Sequence, residues 1–148
     1  MSPSAIVPET AESTPYIVPQ TQVALGGKVI AITGANRGIG LGIAECCLQN
    51  GAEKVYSIDL TERGDEYAAL LKRFPGKLGA VTANVTQEES ITSAIDKIVE
   101  EAGAIHGVVV NAGRTNHKSA LDFTKEDVET LFAVNVRYIL INMYMVVF

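Results

Sequence analysis

Short apolar runs alternate along this chain with longer stretches in which apolar residues recur every three or four positions, and the alternation starts at Gly27. The short runs predict strands over residues 28–33, 54–58, 78–83 and 107–110. The longer stretches predict helices over residues 39–50, 64–74 and 87–102, with a further helix starting at Thr124. In the third of these, Ile91, Ala94, Ile95, Ile98 and Val99 fall on one face. Breakers stand where helices must stop: Gly51 after the first, Pro75 and Gly76 after the second. Thr124, with Asp127 three residues on, partly resembles a capping box, and Val128, Leu131 and Phe132 are expected to point inward. This alternation predicts βαβ units around a parallel sheet, an α/β domain.

The richest chemistry lies in the first strand-to-helix turn, Thr33-Gly34-Ala35-Asn36-Arg37-Gly38-Ile39-Gly40. A helix N-terminus offers unpaired N–H groups and the positive end of the macrodipole, which suits a pyrophosphate. Glycines let backbone approach such a ligand: Gly34 would turn the chain out of the strand, Gly38 would leave room for phosphate, and Gly40 would let the helix lie against the sheet. A glycine triplet by itself also makes a tight turn with no ligand. The context points to a nucleotide, because the turn follows a strand, opens a helix, and is joined by Asp59 at the end of the second strand. A carboxylate there can accept hydrogen bonds from a ribose diol.

Composition narrows the class. The 148 residues are 47% apolar and 20% charged, as in one ordinary globular domain. A net charge of −5 with scattered Lys and Arg gives no footprint for nucleic acid. Cys46 and Cys47 are adjacent and form neither a disulfide framework nor a metal-ligand spacing, so a reducing, cytoplasmic setting is expected. Residues 1–27 hold four of the five prolines and no basic residue, which predicts a flexible tail rather than a secretory or transit signal. His106 and His117 read as strand-start and loop residues, and the two cysteines as packing residues.

Asn84 and Val85 follow the third strand, Asn111, Ala112 and Gly113 the fourth, and Asn135 and Val136 the next helix. With the glycine turn, these motifs make the chain resemble the short-chain dehydrogenase/reductase family from about Lys28 to Val136. The resemblance implies a Rossmann-like, doubly wound parallel sheet, incomplete at about four strands in the order 3-2-1-4. It implies NAD or NADP as cofactor, held by Thr33, Gly34, Asn36, Arg37, Gly38, Ile39 and Gly40, with Asp59 and Leu60 at the ribose. Asn84 and Val85 would line the adenine pocket, although the family usually has Asp at the first of these positions. Asn111, Ala112 and Gly113 would support the sheet and the nicotinamide side. Asp59 would repel a 2′-phosphate and Arg37 would attract one; the balance leans to NAD.

Members of that family move hydride between nicotinamide and an alcohol or carbonyl, using an Asn, a Ser and a Tyr-x-x-x-Lys pair. Asn135 matches the catalytic Asn, which helps hold a proton-relay water. Tyr16, Tyr56, Tyr67, Tyr138 and Tyr144 are followed four residues on by Gln20, Leu60, Leu71, Asn142 and Phe148, so the chain contains no Tyr-x-x-x-Lys. The Ser, the pair and the remaining strands are expected beyond Phe148. After Arg137 the chain is almost wholly apolar, with Tyr138 where the family usually has Gly, and is too short for a bilayer, which takes ~20 residues. The resemblance is therefore expected to end at Arg137, with an unspliced intron or truncated gene model beyond it. The expected division is a tail over 1–27, a partial NAD(P)-binding domain over 28–136 and an atypical segment over 137–148. Two functions remain: an oxidoreductase of a small alcohol or carbonyl such as a polyol or ketose, taking its small-molecule substrate only if completed, or a non-catalytic nucleotide-binding fragment or dead subunit. An uncovered fourth strand would favour self-association, and no membrane partner is expected.

Overall fold

A computed structural model describes residues 24–138; most of the expected tail and the apolar segment over 139–148 lie outside the described residues. Four parallel strands, β1 (Val29–Thr33), β2 (Lys54–Asp59), β3 (Leu78–Thr82) and β4 (Gly107–Val109), form one sheet in the order β3-β2-β1-β4. The connecting helices are α1 (Gly38–Gln49), α2 (Asp65–Arg73) and α3 (Glu88–Ala102), followed by α4 (Lys125–Phe132) and a π-helical turn (Ala133–Arg137).

Every residue of β1 is buried because both faces of the sheet are covered. Ile30 and Ile32 face a core shared with Leu41, Ala44 and Leu48 of α1 and Tyr67 and Leu70 of α2. Val29 and Ala31 face the other core, with Ile91, Ala94 and Ile98 of α3. The side chains of a strand alternate between faces, so a continuous apolar run is what a doubly covered strand requires. β1 pairs β2 from Val29 with Lys54 to Thr33 with Ile58, and β4 from Ile30 with Gly107 to Ile32 with Val109. This register brings the C-terminal ends of β1, β2 and β4 to one edge.

Helix ends follow the residues that permit them. Gly51 (φ +86°) follows α1 and Gly103 (φ +80°) caps α3 in the left-handed region. Thr124 and Asp127 form a full capping box: the Thr124 hydroxyl accepts the Asp127 N–H, and the Asp127 carboxylate accepts the Thr124 N–H. A salt bridge from Lys118 and that N–H hold the Asp127 carboxyl down at about 2. Among the described residues no helix is long and apolar enough to cross a membrane.

The structure corrects two expectations. Val128 and Phe132 do not point inward; they are 44% and 60% exposed, and Leu131 is only half-buried. The main described neighbour of α4 is the π turn that continues it. The packed part of the chain also begins before Lys28: the Leu25 N–H donates to Asn50 O at 2.9 Å, Gly26 bridges Ala52, and Leu25 joins the first core.

Candidate functional site

The turn between β1 and α1 gives its three glycines separate tasks. At Gly34 (φ +68°) a Cβ would lie 2.8 Å from Ala112 Cα, so this turn rests directly on the chain leaving β4. At Gly40 a Cβ would come within 2.4 Å of Gly34 O and 2.6 Å of Asn111 Nδ2. Gly38 (φ +58°) is the opposite case, with no atom within 4 Å of its Cβ position. It stands at the first position of α1, where no side chain caps the N–H groups and the first turn contains no acid. Uncapped donors, a dipole end and open space are the properties of an anion cradle.

Thr33, at the end of β1, binds the strand ends together. Its hydroxyl accepts the N–H of Asn111 at 3.0 Å and of Ala112 at 3.1 Å, and it shares a hydrogen bond with the fully buried Tyr138 hydroxyl. Asn111 Nδ2 returns two bonds, to Thr33 O and Gly34 O. Burial pushes the Tyr138 phenol above its usual range, opposed by the hydrogen bonds from Thr33 and Ala112.

Asp59 closes β2 with its side chain 9% exposed and held on both oxygens. Oδ2 accepts the Asn36 N–H at 3.0 Å; Oδ1 accepts the Thr61 N–H at 2.9 Å and the Thr61 hydroxyl at 2.8 Å. Asn36 is itself anchored, accepting from the Ser57 hydroxyl and donating to Thr61 O. Asn84 Oδ1 accepts the Thr86 N–H and hydroxyl, a local turn after β3.

A cleft of about 1090 Å³ opens along these strand ends, with Gly34, Arg37, Asp59, Asn84, Val85 and Gly113 in its wall. Leu60 and Ala112 also border it, and an adjoining recess of about 500 Å³ adds Gly38, Ile39, Gly40 and Asn111. Ligands of open α/β sheets bind at such a place, where neighbouring strands leave in opposite directions. Thr33, Asn36 and Asn135 line neither space. Asn135 sits in the π turn and clasps the backbone after Gly113: Oδ1 accepts the Arg114 N–H and Nδ2 donates to Arg114 O, each at 2.9 Å. Sequence reasoning passed over Ser57, Thr61 and Arg114; a lone Ser inside a buried strand was the available signal for the first.

The remaining tempting groups lie apart. His106 Nδ1 accepts the Val29 N–H and fixes the start of β1. The Cys47 thiol is pushed up by burial and by neighbouring Cys46, which leaves it a packing residue.

Comparison with known proteins places this geometry. A family model described as short chain dehydrogenase matches residues 28–147, continuing past Arg137, the expected limit of the resemblance. An acetoacetyl-CoA reductase from Synechocystis sp. is 38% identical over 113 residues, covering 76% of this chain and 43% of that protein. A fluoren-9-ol dehydrogenase from Terrabacter sp. is 34% identical over 121 residues, covering 76% and 33%. Among solved structures, a 3-ketoacyl-(acyl-carrier-protein) reductase from Brucella melitensis complexed with NADH superposes with a TM-score of 0.73 at 26% identity, over 82% of this chain and 49% of that one. The chain thus spans less than half the length of these relatives.

Proposed function

The chain belongs to the short-chain dehydrogenase family, and from that premise we propose that residues 28–136 form the part of an oxidoreductase that holds NAD, for hydride transfer to or from a small alcohol or carbonyl. The observation that carries the reading is the uncapped, acid-free start of α1 at Gly38, which opens onto the space that Asp59 also borders. The N–H groups of Gly38, Ile39 and Gly40 would take the diphosphate, with Arg37 at the turn; Asp59 would take the ribose hydroxyls, with Leu60 beside it, and Asn84 and Val85 the adenine. Asn111, Ala112 and Gly113 would flank the nicotinamide side, held by Thr33 from behind. When bound, the nicotinamide supplies or accepts hydride. Asn135 would act on that side by holding the Arg114 backbone in register with Gly113.

NAD rather than NADP follows from weighing two charges. Like charges about 4 Å apart repel by about 4 kcal/mol at an effective dielectric of ~20. Asp59 is buried and fixed, so its repulsion of a 2′-phosphate is little screened, whereas Arg37 is exposed and its attraction is screened by water and salt. The relatives named above act on alcohols or carbonyls, which supports that substrate class; a polyol or ketose remains our choice within it. Free Cys46 and Cys47 suit a reducing compartment such as the cytoplasm. The outer edge of β4 and exposed Val128 support self-association.

A second reading has its own observation: no Tyr in the 148 residues has Lys four positions on. On that ground this polypeptide by itself binds the dinucleotide without turnover. Fluorescence titration of the purified chain with NADH, paired with a spectrophotometric assay over small alcohols and ketones, tests both. Saturable NADH binding supports the site, and its absence overturns it; turnover would exclude the binding-only reading.

A further inference from the structure

Asp59 is held more firmly than a ribose contact requires, and the holding residues form a closed ring. Oδ1 takes two donors from Thr61 and Oδ2 one from Asn36. The Asn36 backbone that supplies this N–H is anchored through its side chain: Ser57, fully buried in β2, donates to Asn36 Oδ1, and Asn36 Nδ2 donates to Thr61 O at 2.6 Å. The ring therefore joins the glycine turn, the middle of the sheet and the loop after β2 around one carboxylate.

A carboxylate offers about four acceptor positions. With three in use, what remains is concentrated on Oδ2, and it can serve a hydroxyl donor but not a phosphate, which brings acceptors and negative charge. A free Asp side chain could rotate away from a phosphate and dilute its repulsion; this one must break hydrogen bonds to do so. We propose that Ser57, Asn36 and Thr61 are positioning residues that set dinucleotide choice by immobilising Asp59, so that preference for NAD over NADP arises from the ring and not from the carboxylate alone. The inference rests on the reading that the cleft holds a nicotinamide dinucleotide.

The test is the ratio of NADPH to NADH dissociation constants, measured by titration of the 148-residue chain. General loosening of the fold weakens both ligands together and leaves that ratio unmoved, so the ratio isolates the positioning role. Thr61→Val, in an exposed loop, removes the one side-chain donor to Asp59 and is expected to lower it by about tenfold; Asn36→Ala and Ser57→Ala leave every bond to the carboxylate in place, loosen only its supports, and should lower it by less. Asp59→Asn should lower it most. In the Asp59→Asn background the Asn36 and Thr61 substitutions should leave the ratio where it is, because no charge remains to be positioned. Should Asn36→Ala fail to fold by circular dichroism, Thr61→Val carries the test. An unchanged ratio in Thr61→Val, an equal effect with and without the Asp59 charge, or a wild-type preference for NADPH would each overturn the inference while NADH or NADPH binding left the cofactor site standing. A wild-type chain that binds neither overturns the cofactor site itself, and the inference with it.

Discussion

Replacing Gly40 by Ala sets two effects of opposite sign against each other. Gly40 lies inside the first turn of α1, where intrinsic helix propensity favours Ala over Gly by about 1 kcal/mol. Against this, the new methyl would sit 2.4 Å from Gly34 O, 2.6 Å from Asn111 Nδ2 and 2.9 Å from Ala35 Cα. Two of those atoms are backbone and cannot rotate aside, so α1 must move outward by about 1 Å, an overpacking cost of about 3 kcal/mol. Displacing Asn111 Nδ2 also endangers its bonds to Thr33 O and Gly34 O, at about 1 kcal/mol each. Sterics win, and the net loss is about 3 kcal/mol, a fall in Tm on the order of 10–20 °C. Gly42, exposed on the same helix, has nothing within 4 Å of its Cβ position, so Gly42→Ala should show propensity alone and gain up to about 1 kcal/mol. Urea unfolding followed by circular dichroism reads both, as midpoints at unchanged slope. A Gly40→Ala protein as stable as Gly42→Ala would refute the close approach of α1 to the sheet.

Other expectations follow from the same kind of contact. Gly79→Ala in β3 would put a methyl 2.7 Å from two ring carbons of the fully buried Tyr56, its partner across the strands, and should cost about 2 kcal/mol in the same unfolding assay. Asn135→Ala removes both bonds to the Arg114 backbone and should weaken NADH binding with little change in unfolding midpoint, since Asn135 is exposed and touches no core cluster. Asp127 is held below its ordinary value near 3.8 at about 2, so its contribution to the α4 cap is complete above about pH 4 and is lost as pH falls toward 2. Amide protection in α4, corrected for intrinsic exchange, should fall across that window, and Lys118→Met should move the fall to higher pH, toward the ordinary carboxylate value.

Fold and site differed in how far the chain disclosed them. Strands were legible because a sheet covered on both faces needs unbroken apolar runs, and β1 is such a run. The glycine spacing disclosed the turn, since a Cβ at Gly34 or Gly40 would meet neighbouring backbone and Gly38 has a positive φ. The strand order came with the family resemblance, and the register bears it out. What stayed hidden depended on distance along the chain. Asn36 stood out as a ligand contact, while its structural partners Ser57 and Thr61, 21 and 25 residues away, could not be read from the local sequence. Tyr138 was visible only as a departure from a small residue; its bond to Thr33 spans 105 residues. The periodicity of α4 announced an apolar stripe but carried no information about what covers it, so Val128 and Phe132 were misplaced.

The most direct test of the account is an amide chemical-shift map of the isotope-labelled chain titrated with NADH. A site at the start of α1 requires saturable shifts at Gly38, Ile39 and Gly40, joined by Asp59, Ala112 and Gly113, with the outer face of α3 at Lys97 and Glu100 unmoved. Saturable shifts confined to other surfaces, or none at Gly38 while NADH binds, would contradict it.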